Sequence, residues 1–255
     1  MQEIFYAPGN IIHIWHLLRR TLVLQRTGKQ KQLQGLYLKI LITKTKNDTI
    51  TTYMKVTDHI KEAKDTLISF EILPPLKGKS ISSIYDHLDP LMEFKPSWIN
   101  VTYHRSEKDF KKRADGSFEK VEVRKRPGTV GICAAIMNHY RIDAVPHIIC
   151  GGFSKRETED ALIDLNFLGI DNVLIIRGDA AKNEAQFEPE PYGHPYALDL
   201  MKQIVNLNNG LYLDADIRDG GKTKFCIGVA GYPEKHFEAP NLEIDMQHLK
   251  KKVDA

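Results

Sequence analysis

The sequence is poor in cysteine and lacks both a long apolar run and the glycine-rich loop of dinucleotide-binding domains. Its three cysteines, Cys133, Cys150 and Cys226, are widely spaced and form no Cys-x-x-Cys pair. This spacing supports neither a disulfide framework nor a zinc knuckle, and we predict no metal site and a reducing, cytoplasmic location. No Gly-x-Gly-x-x-Gly follows the first predicted strand, which argues against a Rossmann domain.

Positive charge is concentrated at the start of the chain. Residues 1–53 hold eight Lys or Arg against two acidic residues, a net charge of +6, so the rest of the chain, with a total of +3, carries −3. This leader has no serine, unlike a typical transit peptide, and its apolar run at 11–18 is too short and too polar to span a bilayer. No recognisable nucleic-acid motif accompanies the charge. We therefore predict a poorly structured leader at 1–53 outside the fold, a folded domain at 54–255, and neither nucleic acid nor membrane as a partner.

One apolar run ends abruptly in charged residues. Val173-Leu174-Ile175-Ile176 has the pattern of a strand buried on both faces, and it is followed at once by Arg177, Gly178 and Asp179. In parallel α/β proteins, ligands bind at the carboxyl ends of the strands. Taken alone, the segment also fits an alternative in which Arg177 and Asp179 only solvate the end of a strand.

The pattern recurs along the chain. From residue 54 onward, strand-like and helix-like segments alternate, which is typical of a parallel α/β protein. We predict five strands, at 67–73, 98–103, 144–150, 173–176 and 225–230, and a charged loop from 104 to about 116. Right-handed crossovers bring the carboxyl ends of such strands to one face. The residues predicted to meet there are Glu71, Thr102, His147, Arg177, Asp179, Tyr232 and His236.

Five segments resemble, in order and spacing, the motifs of the methylenetetrahydrofolate reductase family. They are Ser69-Phe70-Glu71-Ile72-Leu73-Pro74-Pro75, Val101-Thr102-Tyr103, Pro146-His147-Ile148-Ile149-Cys150, Leu174-Ile175-Ile176-Arg177-Gly178-Asp179 and Ala230-Gly231-Tyr232-Pro233-Glu234-Lys235-His236. The resemblance implies a (β/α)8 barrel of the TIM type that binds FAD. It also implies the activity: a hydride passes from NADH or NADPH through the flavin, in a ping-pong reaction, and reduces 5,10-methylenetetrahydrofolate to 5-methyltetrahydrofolate.

The resemblance also implies roles for individual residues. Glu71 is the expected general acid, and Asp179 is the expected catalytic carboxylate beside the flavin; both are expected to contact the folate substrate together with Tyr196. The implied flavin-binding residues are Thr102, His147, Arg177, Gly178, Asp179, Ala197, Tyr232, His236, Asp245, His248 and Lys252. Taken singly, some have structural alternatives, since a histidine such as His147 also occurs in cores and a lysine such as Lys252 at solvated helix ends. A homo-oligomer is also possible on this resemblance.

The end of the chain departs from the family pattern. Residues 250–255 match a helix in the middle of the family barrel, which predicts an incomplete barrel of about five β/α units. We therefore expect the chain alone to bind FAD weakly and to reduce little folate. Two alternatives stay open: a flavin-binding chain without catalysis, and another barrel enzyme such as an aldolase or lyase. The second is disfavoured because no predicted strand ends in lysine.

Overall fold

The computed structural model describes residues 53–180, 184, 186–232 and 234–255, so the predicted leader lies outside the described residues except for Tyr53. Tyr53–Ala255 form one compact unit. Its helices are α1 (Val56–Glu62), α2 (Ser82–Leu88), α3 (Thr129–Tyr140), α4 (Lys155–Phe167), α5 (Ala197–Asn208) and α6 (Leu242–Val253), with a 3₁₀ helix at Asp89–Phe94. Its strands are β1 (Ser69–Ile72), β2 (Trp98–Val101), β3 (Glu107–Lys112), β4 (Phe118–Val123), β5 (Asp143–Ile149), β6 (Asn172–Ile176) and β7 (Cys226–Val229).

Five strands form one parallel sheet in the order β1-β2-β5-β6-β7. Every neighbouring pair is parallel, so the carboxyl ends of all five strands lie at the same edge of the sheet. The prediction of an α/β protein with five parallel strands is confirmed. In the sequence, Ser154 and Glu157 have the spacing of a capping box, which predicts a helix start, and in the structure they form the complete box at the start of α4.

One face of the sheet carries the core. Ile99 and Val101 on β2, Val173 and Ile175 on β6, and Ile148 on β5 are buried together with apolar side chains of the helices. These residues alternate along their strands, as expected for one face of a sheet. The opposite face carries Glu71, Val145 and His147, because Glu71 is in register with Asn100 and, through it, with Val145. The helices therefore cover one face, and the opposite face carries Glu71 and His147 beside buried apolar side chains such as Val145.

The prediction of a charged loop after β2 is partly wrong. Much of it forms an antiparallel hairpin of β3 and β4, in which Glu107 pairs with Val123 and Lys112 with Phe118. Every described side chain of this hairpin is exposed or half-buried, and its strands lack a run of apolar alternation long enough to predict a strand.

Polar side chains fasten α1 to the amino ends of two central strands. The Met54 amide donates to both carboxylate oxygens of Asp143, at 3.2 and 3.1 Å, and the His59 Nε2 atom lies 2.8 Å from Asp143 Oδ2. The Val56 amide donates to Asn172 Oδ1 at 2.9 Å, and Asn172 Nδ2 donates to the Met54 carbonyl at 2.8 Å. Asp143 and Asn172 begin β5 and β6 and are both buried. The strands are thus braced at the end opposite the candidate site.

Within the described part of the chain, none of the helices combines the length and the apolar character needed to cross a membrane.

Replacing Asp143 by alanine tests this brace. Asp143→Ala leaves the Met54 amide and the His59 ring without their acceptor, so we expect the free energy of unfolding to fall by about 2 kcal/mol. Urea denaturation followed by circular dichroism measures the change. Asp58→Ala is the matched control, since the Asp58–Lys61 pair spans 3.6 Å at the surface and contributes about 0.5 kcal/mol or less. Equal losses in the two variants would contradict the brace.

Candidate functional site

A cleft of about 650 Å³ opens at the carboxyl ends of β6 and β7. The start of α5 and one side of α6 form its other walls. Ten of the thirteen residues singled out from the sequence line it: Arg177, Gly178, Asp179, Tyr196, Ala197, Tyr232, His236, Asp245, His248 and Lys252.

The end of β6 turns sharply at a glycine. Gly178 has φ +85°, a left-handed conformation that strains any residue with a side chain. A Cβ atom there would lie 3.6 Å from Ile149, an ordinary contact, so backbone conformation rather than space requires the glycine. Asp179 follows directly and is exposed at the wall of the cleft. The glycine therefore leaves bare backbone beside an exposed carboxylate.

Arg177 is held by a carboxylate from a distant segment. Its Nη1 and Nη2 atoms donate to the two carboxylate oxygens of Glu238, both at 2.7 Å. Its guanidinium also lies over the ring of Phe187, 5.1 Å from the centroid. The paired hydrogen bonds raise the pKa of Arg177 and lower the pKa of Glu238, so both groups are ionised at neutral pH.

Two further site residues hold the connection between β7 and α6. Asp245 Oδ2 accepts a hydrogen bond from the His236 amide at 2.8 Å, and Lys252 Nζ donates to the Ala230 carbonyl at 2.6 Å. Burial lowers the pKa of Lys252. Asn241 begins α6 with a side-chain cap on the Ile244 amide. The polar groups of α6 thus shape the wall of the cleft that carries His236.

Aromatic residues mark the mouth of the cleft. Tyr196 precedes the first turn of α5 and is largely exposed, as is Tyr232, whose ring meets the edge of the His236 ring at 4.7 Å between centroids. His248 lies exposed on α6. These rings leave apolar faces available to a bound ligand.

Glu71, Thr102 and His147 do not line this cleft. They lie on β1, just after β2, and on β5, and Glu71 and His147 share a sheet face with Glu71 Oε2 3.6 Å from His147 Nε2. That distance is too long for a hydrogen bond. Thr102 Oγ1 donates to the Ile72 carbonyl at 3.3 Å.

His147 is a buried imidazole with an unused nitrogen. Only 4% of the residue is exposed, and burial lowers its pKa, with a smaller opposing effect of Glu71. Its Nε2 atom has no hydrogen-bond partner among the described residues. A buried polar atom without a partner is costly, so a polar ligand atom would complete this position.

The sequence did not single out three contacts near the site. Glu238 and Phe187 were missed because neither pairing with Arg177 follows from a local pattern. His194 was also missed: its Nε2 lies 2.5 Å from Gln203 Oε1, and Gln203 Nε2 donates to the Lys155 carbonyl at 2.9 Å. Burial lowers the pKa of His194, and its contacts fix the segment that leads into α5.

The residues of the two groups fit a flavin nucleotide. Arg177 and Lys252 would supply cations for a diphosphate, and Gly178 would permit a ligand to approach its backbone closely. In the other group, the Nε2 atom of His147 has no partner among the described residues and could bind a polar ligand atom. In the described ranges, no cluster of three or more His, Cys, Asp or Glu side chains is arranged to hold a metal ion.

Fold and cleft together define an α/β protein whose candidate ligand site lies at the carboxyl ends of parallel strands. The family model described as methylenetetrahydrofolate reductase matches residues 55–255. The chain therefore belongs to the methylenetetrahydrofolate reductase family, as the sequence motifs predicted.

Named relatives agree with this assignment. The chain is 28% identical to methylenetetrahydrofolate reductase 2 of Saccharomyces cerevisiae and 30% identical to methylenetetrahydrofolate reductase (NADH) 1 of Arabidopsis thaliana, in each case over 79% of this chain. These matches cover 30% and 31% of the relatives. It is 26% identical to 5,10-methylenetetrahydrofolate reductase of Escherichia coli over 74% of this chain and 51% of the relative. The chain thus spans between about a third and a half of the relatives' length.

A pair of alanine substitutions tests the turn at Gly178. Gly178→Ala forces a side chain into a left-handed conformation, so we expect a loss of about 1 kcal/mol in the free energy of unfolding. Gly131→Ala, within α3 where an added Cβ meets no atom within 4 Å, is expected to gain about 0.5–1 kcal/mol. Thermal denaturation of both variants checks the opposite signs. A Gly178→Ala protein as stable as the wild type would rule out strain at this turn.

Proposed function

We propose that this protein takes part in the FAD-dependent reduction of 5,10-methylenetetrahydrofolate to 5-methyltetrahydrofolate, with NADH or NADPH as the hydride donor in a ping-pong reaction. The observation that carries the proposal is the cleft at the ends of β6 and β7, where ten residues expected from the family motifs surround one cavity. We also propose that the parallel sheet is part of a (β/α)8 barrel, since five consecutive parallel strands are joined by helices on one face.

The cleft has groups suited to the charged part of the cofactor. The cationic side chains of Arg177 and Lys252 line the same cleft as Gly178, and cations suit a diphosphate. His236 also lines the cleft. When bound, the flavin supplies the hydride chemistry, which no side chain provides.

Glu71 is suited to donate a proton to the folate. Its side chain is 60% exposed at the carboxyl end of β1, so a substrate reaches it without displacing the core. His147 beside it is held neutral by burial and carries an unused nitrogen. A neutral imidazole at 3.6 Å does not compete as an ion-pair partner, which leaves the Glu71 carboxyl available to a ligand.

Asp179 is suited to stabilise positive charge on the folate. It is exposed at the end of β6, and the turn at Gly178 directs the chain at the cleft. A carboxylate favours a nearby cation, so Asp179 would favour the cationic, ring-opened form of the substrate.

Reconstitution with FAD tests the proposal directly. The purified 255-residue chain is mixed with FAD, freed of excess ligand and scanned for flavin absorbance; we expect flavin bands and their bleaching by NADH or NADPH under anaerobic conditions. Arg177→Ala is expected to weaken FAD binding about tenfold or more, because it removes a cation from the cleft. A wild-type chain that shows no flavin bands after incubation with millimolar FAD and removal of the excess would refute the proposal.

Replacing Glu71 by glutamine separates flavin chemistry from folate chemistry. Glu71→Gln keeps the size of the side chain but removes its proton, so we expect reduction of the bound flavin by the nicotinamide to be unchanged. Reoxidation by methylenetetrahydrofolate is expected to slow by about 10²-fold or more. Stopped-flow absorbance measures the two half-reactions separately. Equal slowing of both would assign Glu71 a structural role.

A second candidate is a chain that binds flavin but turns over little folate by itself. One observation favours it: within the described residues, β1 and β7 each pair with one neighbouring strand. Flavin bands that are bleached by NADH but not restored by methylenetetrahydrofolate would select this candidate.

A further inference from the structure

The Glu238 carboxylate joins the end of β6 to the connection between β7 and α6. Its side chain binds Arg177, and its backbone amide donates to His236 Nδ1 at 3.2 Å. We propose that Glu238 is a positioning residue, which sets Arg177 and His236 in the arrangement that receives the diphosphate of the cofactor. This inference rests on the proposed function, because it assumes that a diphosphate binds in the cleft.

Glu238 holds the Arg177 guanidinium in place but occupies only some of its N–H groups. Glu238 takes one hydrogen from each of Nη1 and Nη2, while Arg177 Nε lies 3.5 Å from the Gly178 carbonyl, at the limit of a hydrogen bond. A guanidinium has five N–H groups, so two on the Nη atoms stay free for a second anion. The Phe187 ring lies against one face. Glu238 and the Phe187 ring hold the guanidinium in place before any ligand binds. Arg177 therefore loses little conformational freedom when a phosphate binds.

The contact with His236 sets which ring nitrogen donates. Because the Glu238 amide is a donor, His236 Nδ1 is the acceptor, and the proton of the neutral ring resides on Nε2. An Nε2–H group is a donor, as a phosphate requires. Glu238 thus orients two hydrogen-bond donors, those of Arg177 and His236, which lie 59 positions apart in the chain.

The segment that carries Glu238 is itself braced. Lys235 Nζ donates to the carbonyls of His236 and Ala239, at 3.0 and 2.6 Å, and the His236 amide donates to Asp245. Ala239, next to Glu238, is buried. Because the backbone that carries Glu238 is held in this way, we expect the carboxylate to stay in contact with Arg177 when a ligand enters the cleft.

Binding of FAD and of riboflavin to the full chain distinguishes these roles. Riboflavin has the flavin ring but no phosphate, so a residue that positions diphosphate donors affects FAD alone. We expect Glu238→Ala to weaken FAD binding about fivefold to tenfold and to leave riboflavin binding within twofold, as measured by quenching of flavin fluorescence. Glu238→Gln, which keeps one acceptor oxygen, is expected to recover part of the loss. Glu243→Ala removes an exposed carboxylate that does not line the cleft and serves as the matched control.

A double-mutant cycle assigns the effect to Arg177. In an Arg177→Ala background, Glu238→Ala is expected to change FAD affinity less than twofold, because the group it positions is gone. Tighter or unchanged FAD binding in Glu238→Ala would overturn the inference and identify Glu238 as a competitor of the phosphate. Equal losses for FAD and riboflavin would overturn it as well, since they indicate a general structural role.

A measurement without ligand separates this inference from the proposed function. Nitrogen-15 NMR reports rotation of the Arg177 guanidinium, which we expect to be slow in the wild type and fast in Glu238→Ala. If the wild type binds no FAD, the proposed function fails and with it the role of Glu238 toward a cofactor. Fast rotation in the wild type would overturn the inference even if FAD binds.

Discussion

The parallel register of the central strands is the constraint on which the site depends. β5 and β6 pair from His147–Leu174 to Ile149–Ile176, and β6 pairs with β7 up to Ile175–Val229. The pairing continues past the strands, because the Cys150 amide donates to the carbonyls of Ile176 and Arg177. A slip of one residue would turn every side chain to the opposite face. His147 would then enter the apolar layer under the helices, and Arg177 would leave the cleft.

The register is held from the amino ends of the strands by polar contacts. Asp143 and Asn172 are the first residues of β5 and β6; Asp143 binds the backbone of Met54, just before α1, and Asn172 binds the backbone of Val56, its first residue. Both side chains are buried, so a shift of either strand would leave unpaired polar groups away from water. The brace and the cleft lie at opposite ends of the same strands. The contacts that stabilise the strands and the candidate ligand site therefore lie at separate ends of the sheet, as is usual in parallel β/α proteins.

The sequence predicted what local patterns encode. An apolar run followed by Arg177, Gly178 and Asp179 locates a strand end, and Ser154 with Glu157 locates a helix start, because each signal lies within a few residues. The hairpin of β3 and β4 was missed, since its strands bury no face and show no apolar alternation. The pairing of Arg177 with Glu238 was missed for another reason. It joins residues 61 positions apart through charges alone, and nothing in the sequence assigns one surface carboxylate rather than another to a given arginine.

The division of the candidate residues into two groups limits the ligand. β1 and β6 are separated by β2 and β5, three steps of about 4.8 Å, so Glu71 and Arg177 lie on strands about 14 Å apart along the sheet. A compact molecule held by Arg177 does not reach Glu71 across that distance. His147 lies between them, on the strand next to β6 and 3.6 Å from the Glu71 carboxylate, with its free nitrogen on the same sheet face. Only an elongated ligand, anionic at one end and carrying a polar ring at the other, would contact all three residues, and this shape excludes a compact substrate as the sole occupant of both groups.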